Sequence, residues 1–145
     1  MRSILLLLPL VPLLAMAQDS TDNSDNSDNN AIHAVTAFLA DGTKTVTVTD
    51  PDKHSSECTT YDAAGKFMRK IVYALDENND AVSGVVYDAD DQPAYKTAYK
   101  RDNLNRIGEE DDFNMNDQLL CRFVYEFAPD GKVARVHEYD AEGNE

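Results

Sequence analysis

The sequence predicts an all-β protein: an antiparallel meander of about eight or nine short strands in one open, twisted or curled sheet, with a closed barrel as the alternative. Three observations predict it. First, aromatic residues recur at Tyr61, Tyr73, Tyr87, Tyr99, Phe113, Tyr125 and Tyr139, at intervals alternating between 12 and 14, so the repeat period is 26 with two sub-units in each. Second, each aromatic closes an extended stretch and is followed by Asp, Asn or Gly, the residues that tight hairpin connections need because they tolerate left-handed backbone and bond their own main chain. Third, Thr45-Val46-Thr47-Val48-Thr49 alternates with a period of two, as a strand does. The turn residues recur too often for a helix of about ten residues to fit between them.

From the N-terminus, Met1-Arg2-Ser3 is a short cationic start and Ile4 to Met16 is apolar. Ala15-Met16-Ala17 then offers small residues ahead of Gln18. This is the pattern of a cleaved, bacterial-type signal peptide over residues 1–17. No Cys follows the cleavage site, so it is not the lipoprotein pattern, and no Asn-x-Ser/Thr acceptor occurs anywhere. The expected location is periplasmic or secreted. Residues 18–30 contain three tandem Ser/Thr-Asp-Asn triplets. They hold no core-forming residue and read as a disordered linker. They lack the Gly that the sharp turn of a calcium loop requires. Residues 31–145 form the β-repeat domain, with Ala31 to Leu39 read as its first strand before the turn at Ala40-Asp41-Gly42 and a short helix as the alternative there.

Charge limits the function. The chain of 145 residues carries 27 Asp and Glu against 13 Lys and Arg, a net charge of −14, and loss of Arg2 with the leader makes it −15. Such a surface repels nucleic acid and anionic lipid. No segment beyond the leader approaches the ~20 apolar residues of a membrane span. There is no phosphate loop, paired-Cys zinc spacing or nucleophile elbow, so no cofactor, metal or catalytic set is expected.

Parity gives a register. All seven aromatics are odd-numbered, so regular pairing places them on one face. Tyr99 opposite Ile107 and Phe113 opposite Leu119 then generate two apolar rows, one near each rim of the sheet. Two turn classes, one per rim, follow the alternating motifs. On the reverse face, Lys96, Glu110 and Arg122 become an alternating charge ladder. Another row brings Asp111, Cys121 and His137 side by side next to Tyr95. Cys121 sits in the middle of that row, which is the wrong order for a thiol activated by His, and three ligands on a flat row are poorly arranged for zinc. Cys58 and Cys121 fall on strands five steps apart, about 24 Å at ~4.8 Å per strand, and by parity on opposite faces. That separation disfavours a disulfide between them, and free or intermolecular thiols are expected. In the acidic run Glu109 to Asp112, successive members point to opposite faces, so it cannot chelate as a unit. Lys96 and Arg122 are its expected partners.

The motifs TYDAAGK at 60–66, VYDADDQ at 86–92 and EYDAEGN at 138–144 resemble the YD repeats of Rhs-type secreted bacterial proteins. The likeness covers about three periods, from Thr43 to Glu145, with Asp91 and Asp117 standing in for Gly in the middle copies. The resemblance implies an extracellular β-repeat surface and no catalytic activity. The expected function is therefore a secreted, non-enzymatic protein that binds a protein partner on a host or neighbouring cell surface or on the envelope. Tyr73, Tyr99, Tyr125, Glu109 and Arg135 are the candidate interaction residues. A glycan-binding module that stacks sugars on exposed tyrosines is the alternative. A hydrolase with an acidic pair is a third reading, for which no pair has suitable spacing.

Overall fold

A computed structural model describes residues 32–145. The expected signal peptide, residues 1–17, and the expected linker, residues 18–30, lie outside the described residues. The domain is all-β: nine antiparallel strands in one open sheet, in the order of the sequence. They are β1 (His33–Phe38), β2 (Lys44–Asp50), β3 (Ser55–Tyr61), β4 (Phe67–Leu75), β5 (Ala81–Tyr87), β6 (Pro93–Arg101), β7 (Ile107–Phe113), β8 (Leu119–Phe127) and β9 (Val133–Asp140). A single 3-10 turn, Pro51–Lys53, joins β2 to β3. The sheet does not close, so the barrel alternative is set aside, and the substantial contacts run between consecutive strands.

The turns correct the expectation of two classes, because one geometry serves both rims. Asp62 donates its amide to the Lys66 carbonyl at 2.9 Å, and Gly65 donates back to the Asp62 carbonyl at 2.9 Å. At the opposite rim, Asp76 and Asp80, then Asn79 and Asp76, repeat these bonds at 2.9 and 3.0 Å. In both turns the first Asp also caps the loop with its carboxylate, accepting from the third and fifth amides. The fourth residue is left-handed in each copy. Asp91 and Asp117 occupy that place at φ 56° and 63°, a conformation that Asp reaches more easily than most side chains. What alternates is strand length: seven residues in β5 and β7, nine in β4, β6 and β8.

The register corrects the single aromatic face. In each hairpin from β3–β4 to β8–β9 the pairing slips by one residue. Thr60 faces Arg69 but Tyr61 faces Phe67, so Met68 is left over as a bulge. Val82, Ala94, Gly108, Leu120 and Ala134 are skipped in the same way. A bulge adds one residue to one strand and reverses the parity of everything beyond it. Consecutive members of the aromatic series therefore fall on opposite faces. Tyr73, Tyr99 and Tyr125 lie on one, and Tyr61, Tyr87, Phe113 and Tyr139 on the other.

The expected closing pairs Tyr61–Phe67 and Phe113–Leu119 are present, but Tyr99 faces Glu110 and Ile107 faces Arg101. The row that crosses the whole sheet runs His33, Thr49, Ser56, Tyr73, Gly84, Thr97, Asp112, Cys121, Asp140.

The face with Tyr73 is the packed face. Ile71, Tyr73, Val86 and Tyr99 form its core cluster, and Phe123 is its most enclosed side chain, 1% exposed. A single layer achieves this by laying large side chains over a small one. The Tyr73 and Tyr99 rings, two strands apart, meet with centroids 6.2 Å apart above Gly84. A Cβ at Gly84 would lie 3.2 Å from Ile71 Cγ2, 3.2 Å from Thr97 Cγ2 and 3.4 Å from Tyr73 Cδ1.

Candidate functional site

The two faces place the sequence-selected residues very differently. Tyr73, Tyr99 and Tyr125 are on the packed face and only 7–8% exposed. Burial removes them as a stacking platform for sugars. Glu109 and Arg135 lie on the other, open face, where Arg135 stands opposite Glu126 in the β8–β9 register.

The predicted charge ladder is not formed. Lys96 faces Phe113 and reaches Asp117 in the next turn at 2.6 Å, whereas Glu110 lies on the opposite face between Tyr99 and Phe123. The open face carries a different ionic cluster. Arg122 grips Asp111 through Nη2 at 3.0 Å and lies 3.1 Å from Glu109, and Lys100 closes on Glu109. Burial raises the Asp111 carboxyl, but the hydrogen bonds and charges of Arg122 and Lys100 outweigh it and hold the group below the usual carboxylate range. Arg122 is thus the expected partner of the acidic run, and Lys100 takes the place expected of Lys96.

The row of Asp111, Cys121 and His137 is also undone. Cys121 faces Asp112 and Asp140 on the packed face. Asp111 faces Arg122, and His137 faces Val124, both on the open face. His137 instead sits between Glu126 at 3.1 Å and Glu145 at 2.6 Å. Hydrogen bonds donated to the Glu145 and Glu126 carboxylates raise its pKa. The two cysteines are free thiols, as expected, but share the packed face rather than dividing between the two.

Sequence reasoning missed a polar island within the packed face. Glu110 accepts from Tyr125 Oη at 2.7 Å and from Thr97 Oγ1 at 3.2 Å. Burial is the largest effect on Glu110 and leaves its pKa raised despite both bonds. Asp112, two residues on and 2% exposed, has its Oδ1 buried without a hydrogen-bond partner. Burial, then the Glu110 charge, pushes the Asp112 carboxyl up to about 7. Cys121 Sγ lies 3.9 Å from Asp112 Oδ2, and burial followed by that carboxylate drives the thiol up to about 12. A thiol so perturbed is protonated and a poor nucleophile at neutral pH. The signal was present in the run Glu109 to Asp112: alternate members of a four-residue acidic run in a central strand must face the core.

The open face holds a trough of about 590 Å³ across β4 to β7. Small side chains, Ala74, Ser83 and Ala98, form one row of its floor, flanked by Val72, Val85 and Phe113. Lys53 and His54 stand at one rim, and the Lys96–Asp117 pair at another.

Neither family models nor curated proteins match the chain. Among the described residues no group of three or more His, Cys, Asp or Glu is arranged to hold a metal ion. No helix among them is long and apolar enough to cross a membrane.

Proposed function

We propose that this is an exported, non-enzymatic interaction module whose open sheet face binds a protein partner on a cell surface or envelope. The observation that carries the reading is the asymmetry of the sheet. One face packs against itself, while the other leaves an apolar trough beside the Lys100–Glu109–Asp111–Arg122 ionic cluster. An apolar floor with charged groups at its margin suits a protein surface, where a buried apolar centre gives affinity and the charged rim gives orientation.

The leader-like residues 1–17 support export, and the Tyr-Asp-x-x-Gly motifs support kinship with YD-repeat surface proteins. The non-enzymatic reading is supported by the polar island, whose carboxyls are buried and face a half-buried thiol rather than a cleft.

The test is capture from envelope and host-surface extracts, with crosslinking to map the contact. A partner crosslinked beside β5 and β6, bound at least tenfold more weakly by Ala98→Arg and equally well by an exposed turn variant such as Glu77→Gln, is the expected result. A partner insensitive to Ala98→Arg, or no partner at low and moderate salt, overturns the reading.

A further inference from the structure

We propose that β1 is a self-association edge, along which two copies of the chain join antiparallel, β1 to β1, into one continuous sheet of twice the width. All six residues of β1 are exposed, including Val35 at 54% and Phe38 at 75%, and Ile32 and Leu39 beside it are 64% and 45% exposed. Among the described residues no strand lies along its second long edge, so a row of main-chain donors and acceptors has no partner from them there. An uncharged, apolar edge of this kind is what natural sheets usually protect with charge, a bulge or a covering strand. None of the first two is present: β1 contains only His among titratable residues, and its pairing with β2 is regular throughout.

Charge distribution selects a second copy as the occupant. The chain bears a net charge of −14, so two copies repel wherever their acidic surfaces meet. Between Ile32 and Thr49, however, the only charged residues are Asp41 and Lys44, which offset one another. Among the described residues the β1–β2 corner is where two such chains approach with the least like-charge repulsion, and Asp19, Asp22, Asp25 and Asp28 ahead of it leave a residual repulsion. β9, the opposite edge, carries Arg135, Glu138 and Asp140 along one strand and is protected in the usual way.

The pairing is also self-consistent. An antiparallel edge contact is the same patch on both partners, which closes at a dimer instead of propagating. With the twofold axis normal to the sheet, like faces stay on the same side, and the axis passes through Val35 or Thr36. The first choice sets His33 opposite Ala37 of the second copy. The second sets Val35 opposite Ala37 of the second copy. Both choices bring only uncharged or His side chains together. The union extends the cross-sheet row that ends at His33 and places two open faces side by side, a bivalent display with the avidity this brings. The dimer itself does not depend on the open face binding a partner.

The test is sedimentation of the whole chain from Gln18 onward. A monomer–dimer equilibrium is expected in the micromolar range, tighter at about 0.5 M salt than at 0.05 M because screening relieves the residual repulsion. Thr36→Pro removes an edge donor and Val35→Lys adds charge. Each is expected to weaken the dimer at least tenfold while the circular dichroism spectrum of the sheet is kept.

In a Cys58→Ser, Cys121→Ser background, Val35→Cys or Thr36→Cys should form an intermolecular disulfide. Directly opposed antiparallel residues have Cα atoms about 4.5–5.5 Å apart, within disulfide range. Val136→Cys on β9 should not. A monomer at every concentration, a dimer indifferent to both β1 variants, or equal crosslinking through β9 overturns the proposal. So does protection of β1 amides in a strict monomer, which would mean that residues 18–31 of the same chain cover the edge.

Discussion

The packed and open faces are made from the same strands by simple alternation, yet they do opposite things with their side chains. On the packed face, Tyr73 and Tyr99 lie across Gly84 and Phe123 is all but sealed, with no second layer among the described residues to cover them. On the open face, the positions that would seal it are Ala74, Ser83 and Ala98, too short to touch across a strand, and a trough remains. The difference teaches that a lone sheet obtains a core from size contrast within one face: large rings need a small residue between them to lie down on. Where every residue in a row is small, the surface stays open.

The strongest way to break the contrast is to empty the packed face. Phe123→Ala is expected to cost about 3–5 kcal/mol in urea unfolding, the range for removing a buried Phe. The equivalent truncation on the open face, Val124→Ala, should cost well under half of that.

The polar island gives a pH signature of its own. The Asp112 carboxyl is raised to about 7 in the folded protein from an ordinary value of 3.8, so the native state holds a proton that the unfolded chain releases. Its contribution is complete below pH ~4 and fades as pH climbs through 7. From pH 6 to pH 8 stability should fall by roughly 1–2 kcal/mol, since one unit of pKa is worth about 1.4 kcal/mol. Asp112→Asn should flatten that slope when unfolding is followed at several pH values. Unchanged slopes would show that the carboxyl is not held neutral.

A paired substitution sharpens the size-contrast argument. Gly84→Leu drives a side chain into Ile71, Thr97 and Tyr73 and should cost about 1–3 kcal/mol, the usual penalty for overpacking. Ala98→Leu, which projects into the trough, should change the unfolding free energy by less than about 0.5 kcal/mol. The smallest effect belongs to the ionic cluster. Lys100→Met removes a largely exposed partner of Glu109 and should give the smallest loss of the series, vanishing in high salt.

The meander, the strand count and most turns were legible in the sequence because Asp, Asn and Gly mark each reversal and Tyr or Phe marks each closing stretch. The faces were not. Met68, Val82 and Leu120 look like ordinary members of their strands, and nothing in their chemistry announces that each is the extra residue of a bulge. One such residue per hairpin reverses parity, which is why the rows containing Tyr99–Ile107 and Lys96–Glu110–Arg122 dissolved while Tyr61–Phe67 and Phe113–Leu119, next to their turns, stayed. The buried pair Glu110 and Asp112 was half visible: alternation within the acidic run was read, but which members faced inward depended on the same bulges. The trough was not visible at all, because a row of Ala and Ser is silent in a pattern search until the register aligns its members.

The self-contained turn has a consequence for how such a chain can change over time. Each reversal holds its own backbone through a capping Asp or Asn in most copies, and each strand leans mainly on the two beside it. Removing residues 88–113, one whole period, would join Tyr87 to Asn114 and restore the same kind of reversal at the splice. Copying that stretch would widen the molecule by two strands in the same manner. Width is therefore a quantity that gene duplication and deletion can adjust in whole steps, with the Glu110–Asp112 pair entering or leaving as a unit with its hairpin.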